Sequence, residues 1–202
     1  LAKEYGWIAD ASRVEMNKAI YRFVNGEKTA LILDVKDRGT SCLSRTMPPN
    51  VILVNGIDAV PSDTSLIIAV TPYIYGKTDI PVLYFRPRVL ELGVGCKKGR
   101  SPEGVYEQIS SALVTNIATI ELKKDEPLMA SLASEFGADG VKIYSADKLK
   151  DIEVPNPSEK VREVTGVWGV AESAAMAAAS ASVLILEKQK CEDFTFAVAM
   201  DR

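Results

Sequence analysis

The spacing of hydrophobic and polar residues predicts two regions with different rhythms. In the first region, apolar side chains recur at helical intervals behind Ser12, a good helix cap, and predict an amphipathic helix from Ser12 to Val24. Short β-branched or aromatic runs separated by turn residues then predict the strands of a small sheet at Thr29–Val35, Asn50–Val54, Ser65–Thr71 and Val82–Phe85. The polar stretch from Asp37 to Pro49 is predicted to be a surface loop.

From Val89 onward, strand and helix patterns alternate. Apolar runs predict strands at Val89–Gly95, Ile117–Leu122 and Gly140–Tyr144. Helices are predicted at Ser101 to about Thr115, Glu126–Phe136, Ala146–Lys150, Ser158–Val164 and Val167–Ala181, and a closing β-hairpin at Val183–Glu187 and Phe194–Met200. The fold class is therefore α/β: a small α/β central region, residues 1–87, is followed by a mixed-sheet α/β domain, residues 88–202, with flanking helices and a C-terminal β-hairpin.

Composition limits the classes of partner. No apolar run reaches the roughly 20 residues of a membrane span, so we expect a soluble, cytoplasmic protein without a membrane partner. A net charge of -3 gives no global reason to bind nucleic acid, and an anionic ligand would need local basic clusters. The first ten residues are typical of the continuation of a longer chain, so we expect that a portion precedes them.

The residue inventory also limits the chemistry. The chain contains no histidine, which excludes Ser-His-Asp and Cys-His catalysis and histidine-ligated metals. Its three cysteines, Cys42, Cys96 and Cys191, form no CxxC pair, which argues against a disulfide framework and a zinc site. Any acid or base must be Asp, Glu, Lys, Cys or Tyr.

Five unusual local sequences occur in the second region, each predicted at a point where a strand gives way to a loop or a helix. They are GVGCKKGR (Gly93–Arg100), ATIELKKDEP (Ala118–Pro127), PNPSE (Pro155–Glu159), TGVWGVAE (Thr165–Glu172) and LEKQK (Leu186–Lys190). Proteins of the α/β class place chemistry at such points because backbone amides and helix N-termini converge there.

The first motif has the form of a glycine loop before a helix. Lys97, Lys98 and Arg100 add positive charge, so phosphate or carboxylate would fit, but an ordinary tight turn explains the sequence equally well. The motif lacks the third glycine of a dinucleotide fingerprint and the GK[ST] ending of a P-loop. We interpret Cys96 as a packed residue because no histidine exists to activate it.

Two motifs carry candidate acids. LKKDEP places Lys123, Lys124, Asp125 and Glu126 between a strand and a helix, where a carboxylate could activate water while a lysine beside it stabilises an oxyanion. The alternative for this motif is a solvated turn in which Asp125 caps the helix. Glu172 is the single acidic residue among small and apolar neighbours. An acid in such surroundings is unusual unless it has a function, so we treat Glu172 as a candidate site residue.

The other two motifs have simple structural interpretations. PNPSE is most simply a proline break followed by a cap at Ser158. LEKQK is most simply a solvated strand end, in which Lys188 and Lys190 share one face by strand alternation.

Taken in order, the five motifs resemble the C-terminal domain of the cobalamin-biosynthesis protein G family, CbiG, whose members are cobalt-precorrin 5A hydrolases. The resemblance runs from about Val89 to Ala199, and residues 1–87 resemble the family's central region, including VNGE at Val24–Glu27. It rests on Gly93, Gly95, Cys96, Ala118, Thr119, Lys123, Glu126, Asn156, Pro157, Ser158, Thr165, Gly166, Val170, Ala171, Glu172, Lys188, Lys190, Thr195 and Ala197. The family's N-terminal domain is absent from this sequence, so turnover is expected to depend on whether that domain supplies catalytic groups.

The resemblance implies a reaction in anaerobic vitamin B12 synthesis. A δ-lactone on the corrinoid macrocycle is hydrolysed and acetaldehyde leaves, giving cobalt-precorrin 5B. The cobalt arrives within the substrate, so no cofactor or metal site of the protein's own is expected. The expected partner is the polycarboxylate cobalt-corrinoid intermediate, and the resemblance leaves room for a homodimer and for transient contact with other enzymes of the pathway.

The site residues follow from the same resemblance. Glu126 or Glu172 would act as general base on water, and Lys123 with loop amides near Gly95 would stabilise the oxyanion. The expected substrate-binding residues are Gly93, Gly95, Cys96, Lys97, Lys98, Arg100, Thr119, Ser158, Thr165, Gly166, Lys188 and Lys190. The alternatives are a corrinoid-binding or carrier module without catalysis, of the stand-alone CobE type, and a domain that binds another small anion.

Overall fold

The chain consists of two compact units, each built on a five-stranded sheet. In the computed structural model these units are Leu1–Arg88 and Val89–Arg202. The structure describes residues 2–73, 75–99, 113–180, 183–192 and 194–200.

The first unit is a mostly parallel sheet with helices. Its helices are α1 (Ala2–Tyr5), α2 (Arg13–Val24) and α3 (Arg38–Arg45), with a short 3-10 turn at Ile57–Ala59. Its strands are β1 (Ile8–Asp10), β2 (Thr29–Leu33), β3 (Val51–Leu53), β4 (Leu66–Val70) and β5 (Val82–Arg86), in the order β1-β5-β4-β2-β3. Strands β2 to β5 are parallel and β1 pairs antiparallel with β5. The predicted helix and four strands are confirmed.

Local sequence explains where α2 begins and ends. The Ser12 hydroxyl accepts the Glu15 N–H at 3.2 Å and the Glu15 carboxylate accepts the Ser12 N–H at 2.8 Å, which forms a capping box. These bonds lower the pKa of the Glu15 carboxyl. The chain leaves the helix through Asn25 and Gly26, whose φ of 76° is in the left-handed region that glycine adopts without strain.

The prediction of a loop from Asp37 to Pro49 is wrong, because α3 occupies most of that stretch. The Asp37 carboxylate accepts the Thr40 N–H at 2.7 Å and caps the helix, and the Trp7 indole N–H donates to the same carboxylate at 2.7 Å. The residues that α3 buries are Gly39 and Thr40, so the helix shows no hydrophobic periodicity in the sequence. A Cβ at Gly39 would lie 2.3 Å from the Trp7 ring.

The second unit is a mixed sheet with helices on its two faces. Its strands are β6 (Leu90–Cys96), β7 (Val114–Ile120), β8 (Gly140–Tyr144), β9 (Val183–Lys190) and β10 (Phe194–Met200), in the order β8-β7-β6-β10-β9. Its helices are α4 (Pro127–Glu135), α5 (Ala146–Leu149), α6 (Glu159–Thr165) and α7 (Val170–Ala179), with a 3-10 turn at Glu121–Lys123. Strands β6 to β8 are parallel, and β10 is antiparallel to both β6 and β9. The predicted mixed sheet and closing hairpin are confirmed.

Several predicted boundaries in this unit need correction. Most of the predicted helix from Ser101 lies outside the described residues, but it ends before Thr115 because β7 begins at Val114. The predicted strand Ile117–Leu122 ends at Ile120, where the 3-10 turn follows. Helix α7 begins three residues later than predicted, after Gly169.

Helix α7 packs unusually close to the sheet. A Cβ built on Gly93 of β6 would lie 1.9 Å from the Ala171 carbonyl oxygen, so this position admits no side chain. Alanines of α7 pack against Ala197 and Ala199 of β10 on the same face. Because side chains alternate along a strand, Leu92 and Val94 point to the opposite face, where they pack with the apolar side chains of α4.

We predict that Gly93→Ala lowers the free energy of unfolding by roughly 1–3 kcal/mol, because the added methyl must displace the α7 backbone. Urea denaturation measures the change. The matched control is Gly140→Ala in β8, where no described atom lies within 4 Å of the new Cβ, and its effect should stay within about 0.5 kcal/mol. Equal midpoints for the two variants would contradict the packing constraint.

Candidate functional site

The sequence motifs of the second unit form two groups of contacts at the ends of its strands. The Glu126 cluster comprises Cys96, Gly99, Lys123 and Glu126, at the ends of β6 and β7 and the start of α4. The Glu172 cluster comprises Asn156, Glu172, Glu187 and Lys188, at the start of α7 and on β9. Each cluster joins motifs that are far apart in the sequence.

The Glu126 cluster pairs a carboxylate with a lysine. Oε2 of Glu126 accepts the Gly99 N–H at 2.6 Å, and Nζ of Lys123 lies 3.8 Å from Oε1. The Glu126 side chain is 11% exposed and that of Lys123 is 21% exposed, so solvent reaches both groups. Glu126 itself occupies the N-cap position of α4, so the alternative in which Asp125 caps that helix is wrong.

Cys96 is a half-buried thiol beside this pair. Burial raises its pKa, the positive charge of Lys123 lowers it, and the negative charge of Glu126 raises it. The net direction is upward, which keeps the sulfur protonated and weakly nucleophilic near neutral pH. The environment therefore favours a packing role for Cys96 over a nucleophilic one.

The Glu172 cluster is built around a fully buried carboxylate. Oε1 of Glu172 accepts the Asn156 side-chain amide at 2.8 Å and the Lys188 backbone N–H at 3.0 Å. Oε2 accepts the Asn156 backbone N–H at 3.2 Å. Three donors therefore satisfy most of the acceptor capacity of this carboxylate, and they join the PNPSE loop, α7 and β9.

Asn156 connects the remaining members of this cluster. Its side-chain amide also donates to Oε2 of Glu187 at 2.9 Å, and its carbonyl oxygen accepts a hydrogen bond from Nζ of Lys188. Burial lowers the pKa of Lys188, nearby Glu172 raises it, and neighbouring Lys190 lowers it. The sequence analysis placed Asn156 in the PNPSE motif but did not predict it as a site residue. One signal was available: Asn156 lies between two prolines, which have no backbone N–H, so it carries the one backbone donor of these three residues.

The two candidate bases are thus in different environments. A general base must reach the proton that it removes, either directly or through one water. Glu172 is buried, and both of its carboxylate oxygens accept hydrogen bonds. Glu126 is partly exposed to solvent, and one of its carboxylate oxygens lies near Lys123. Of the two carboxylates, Glu126 is the one that solvent reaches, whereas Glu172 is committed to the hydrogen bonds of the Asn156 loop.

Four of the predicted substrate contacts have packing or helix-ending roles. Gly93 lies under α7, and Thr119 is fully buried with its hydroxyl donating to the Val94 carbonyl at 2.8 Å. The Thr165 hydroxyl donates to a carbonyl one turn back in α6 at 2.7 Å. Gly166 ends that helix with a φ of 79°. Neither Gly93 nor Thr119 presents surface to a substrate.

The other predicted contacts lie nearer to solvent. Lys97, Lys98 and Lys190 are exposed, while Gly95 and Ser158 are half-buried. Arg100 lies outside the described residues.

Outside these clusters, a cavity of about 490 Å³ lies in the first unit. Mostly apolar side chains of the sheet, of α1, α2 and α3 and of the segment after α3 line it, and it contains none of the motif residues. Within the described ranges, no group of three or more His, Cys, Asp or Glu residues is arranged to hold a metal ion. No helix in the same ranges is long and apolar enough to cross a membrane.

Family models match nearly the whole chain. The model described as "Cobalamin synthesis G C-terminus" matches residues 90–199. The model described as "Cobalamin biosynthesis central region" matches residues 1–87.

Two curated proteins are similar over different spans. A cobalt-precorrin-5A hydrolase from Priestia megaterium is 31% identical over an alignment 212 residues long, gaps included, which covers 98% of this chain but 56% of that protein. The chain thus spans little more than half the length of this relative. A protein CobE from Sinorhizobium sp is 31% identical over an alignment 122 residues long, gaps included, which covers 54% of this chain and 79% of that protein.

One solved structure supports the same relationship. The crystal structure of CobE, described as a protein from the cobalamin (vitamin B12) biosynthetic pathway, matches with a TM-score of 0.51 and 28% identity. The match covers 56% of this chain and 91% of that structure.

We predict that Glu172→Gln destabilises the second unit by roughly 1–3 kcal/mol, because the new NH2 group faces N–H donors and leaves a buried donor unpaired. Urea denaturation measures the loss. Glu187→Gln is the matched control: Glu187 bonds the same Asn156 amide but is exposed, so its effect should be below about 0.5 kcal/mol. If the two changes cost the same, the Glu172 carboxylate does not hold the loop.

Proposed function

The chain belongs to the cobalamin-biosynthesis protein G family, and from this membership we propose that it acts on a cobalt-corrinoid intermediate of cobalamin biosynthesis. The proposed reaction is that of a cobalt-precorrin 5A hydrolase, which opens a δ-lactone and releases acetaldehyde to give cobalt-precorrin 5B. The observation that carries this proposal is the 31% identity to a protein of that name over 98% of the chain.

Glu126 is the proposed general base. It removes a proton from water as the water oxygen bonds to the lactone carbonyl carbon, and Lys123 stabilises the resulting oxyanion. The ring C–O bond then breaks as the departing oxygen takes the proton from Glu126, which gives an alcohol and a carboxylic acid that ionises to the carboxylate. The 3.8 Å separation between Lys123 and Glu126 supports the role of Lys123, because it places the positive charge next to the carboxylate that would hold the attacking water.

Acetaldehyde release follows from the alcohol. As its O–H proton leaves, the oxygen forms a carbonyl and the adjacent carbon–carbon bond breaks in a retro-aldol manner. The electron pair of that bond remains on the macrocycle, which then takes up a proton. No oxidant or reductant is consumed in these steps.

Lysines near the strand ends are proposed to bind the carboxylates of the substrate. Lys97 and Lys98 follow β6 and are exposed, and Lys190 lies exposed on β9 beside Lys188. Their charges provide local positive potential on a chain with a net charge of -3. The cobalt ion is part of the substrate, so its chemistry is carried by the macrocycle.

A second candidate function is binding or transfer of the corrinoid without catalysis. It is favoured by the similarity to CobE, which is matched over 79% of its sequence by this chain. In that case the exposed lysines would still bind the macrocycle, and Glu126 would bear no proton-transfer role.

We predict that the Glu126→Gln protein loses roughly 100- to 10,000-fold in kcat for acetaldehyde release from cobalt-precorrin 5A, because the amide cannot accept the proton from water. A coupled aldehyde-reductase assay measures release, and absorbance titration of the corrinoid measures binding. The matched control is Glu121→Gln, an exposed carboxylate in the 3-10 turn before α4, which should leave kcat unchanged.

The outcomes separate the two functions. Full turnover by the Glu126→Gln protein would remove Glu126 as the base while leaving the hydrolase assignment intact. Binding without aldehyde release by the unaltered chain would support the carrier function. Absence of any corrinoid binding would overturn both.

A further inference from the structure

Helix α2 of the first unit has two apolar faces, and one of them is uncovered. Ala19 is buried against the sheet, and Met16 and Phe23 line the cavity between the helix and that sheet. On another side of the helix, Val14 is 62%, Tyr21 is 69% and Val24 is 76% exposed. A surface helix of a single globular unit normally carries one apolar stripe, so a second one indicates a second packing surface.

The uncovered residues have the spacing of a coiled-coil seam. Val14, Asn17, Tyr21 and Val24 follow one another at intervals of three, four and three, which are the a and d positions of a heptad repeat. At 100° per residue they fall within an arc of about 80° on the helix surface. We refer to these four residues as the α2 seam.

We propose that the α2 seam packs against the α2 seam of a second copy of this chain, with the two helices antiparallel about a two-fold axis. In such an interface residue i meets residue j and residue j meets residue i. Pairing centred between Asn17 and Tyr21 brings Val14 against Val24 of the partner subunit and Asn17 against Tyr21 of the partner subunit. The seam is therefore complementary to itself in this direction, with apolar pairs at both ends.

The polar pair at the centre fixes the register. Asn17 is exposed, and its side-chain amide would face the phenol of the partner's Tyr21, where a hydrogen bond can form. A polar residue at one seam position commonly sets the register of paired helices. Sliding the helices by one turn would place either Asn17 against the partner's Val24 or Tyr21 against the partner's Val14, and both shifts would lose that bond.

Charge favours the antiparallel direction. Arg13 is exposed at the start of α2 and would lie beside the C-terminal end of the partner helix, where backbone carbonyls carry partial negative charge. A parallel arrangement would instead place Arg13 beside the partner's Arg13.

The contact is small, so the dimer is expected to be weak. Two helices of twelve residues cover less than the roughly 800 Å² per partner of a standard interface. We expect dissociation in the range of about 10–100 µM, which is typical of small interfaces rather than of permanent oligomers.

Sedimentation equilibrium of the whole chain from about 1 to 500 µM tests the proposal. The unaltered chain should pass from monomer to dimer, and Tyr21→Glu should raise the dissociation constant at least tenfold because it places two carboxylates in the seam. Val164→Glu, at a residue 74% exposed on α6, is the matched control and should dimerise normally. A chain that stays monomeric throughout, or a dimer that Tyr21→Glu leaves intact, overturns the proposal.

Cysteine cross-linking tests the direction of pairing. Val14→Cys mixed with Val24→Cys should form an interchain disulfide between positions 14 and 24 under mild oxidation, identified by peptide mass spectrometry. Either variant alone should not form a disulfide between its two new cysteines, because ten residues of helix separate them by roughly 15 Å. The native cysteines give the same background in all samples. Cross-links of 14 to 14 would show parallel pairing and overturn the antiparallel seam.

Discussion

The close contact between α7 and β6 is the constraint on which the second unit depends. Gly93 has no side chain, so the backbone of α7 approaches the strand to a distance that even a methyl group would prevent. The alanines of α7 continue this contact along β10. The helix start is thereby fixed near Gly95, where Val170 lies within van der Waals distance of a Cβ built on that glycine.

This placement determines the environment of Glu172. Its side chain enters the interior, where an unpaired carboxylate would be costly, and the backbone N–H groups of Asn156 and Lys188 and the Asn156 side chain satisfy it. The hydrogen bonds of the buried Glu172 side chain therefore connect a loop and a strand to the helix. Glu126, at the start of α4, lies closer to solvent and beside Lys123.

The proposed chemistry fits a chain without histidine or a metal site among its described residues. In that proposal, carboxylate and lysine side chains would supply the acid, base and anion-binding groups, and the cobalt would arrive with the substrate. The first unit contributes different properties, an apolar cavity and the α2 seam, neither of which involves the motifs of the second unit. Proposed catalysis and proposed self-association thus rest on separate parts of the chain.

Sequence alone determined the elements whose signals are local. The capping box at Ser12 and the glycine after Phe136 each act within a few residues, so α2 and α4 were predicted correctly. The closing hairpin was also predicted, but β9 continues to Lys190, beyond the predicted end at Glu187. Helix α3 was not predicted from the sequence. The residues that it buries are Gly39 and Thr40, so it has no stripe of buried hydrophobic side chains that a sequence pattern could reveal. Only tertiary structure distinguished Glu126 from Glu172, since the donors that satisfy Glu172 come from residues sixteen positions before and sixteen after it. Burial of Glu172 and its hydrogen bonds to residues distant in the sequence depend on how α7 packs against the sheet. The local sequence pattern does not specify that packing.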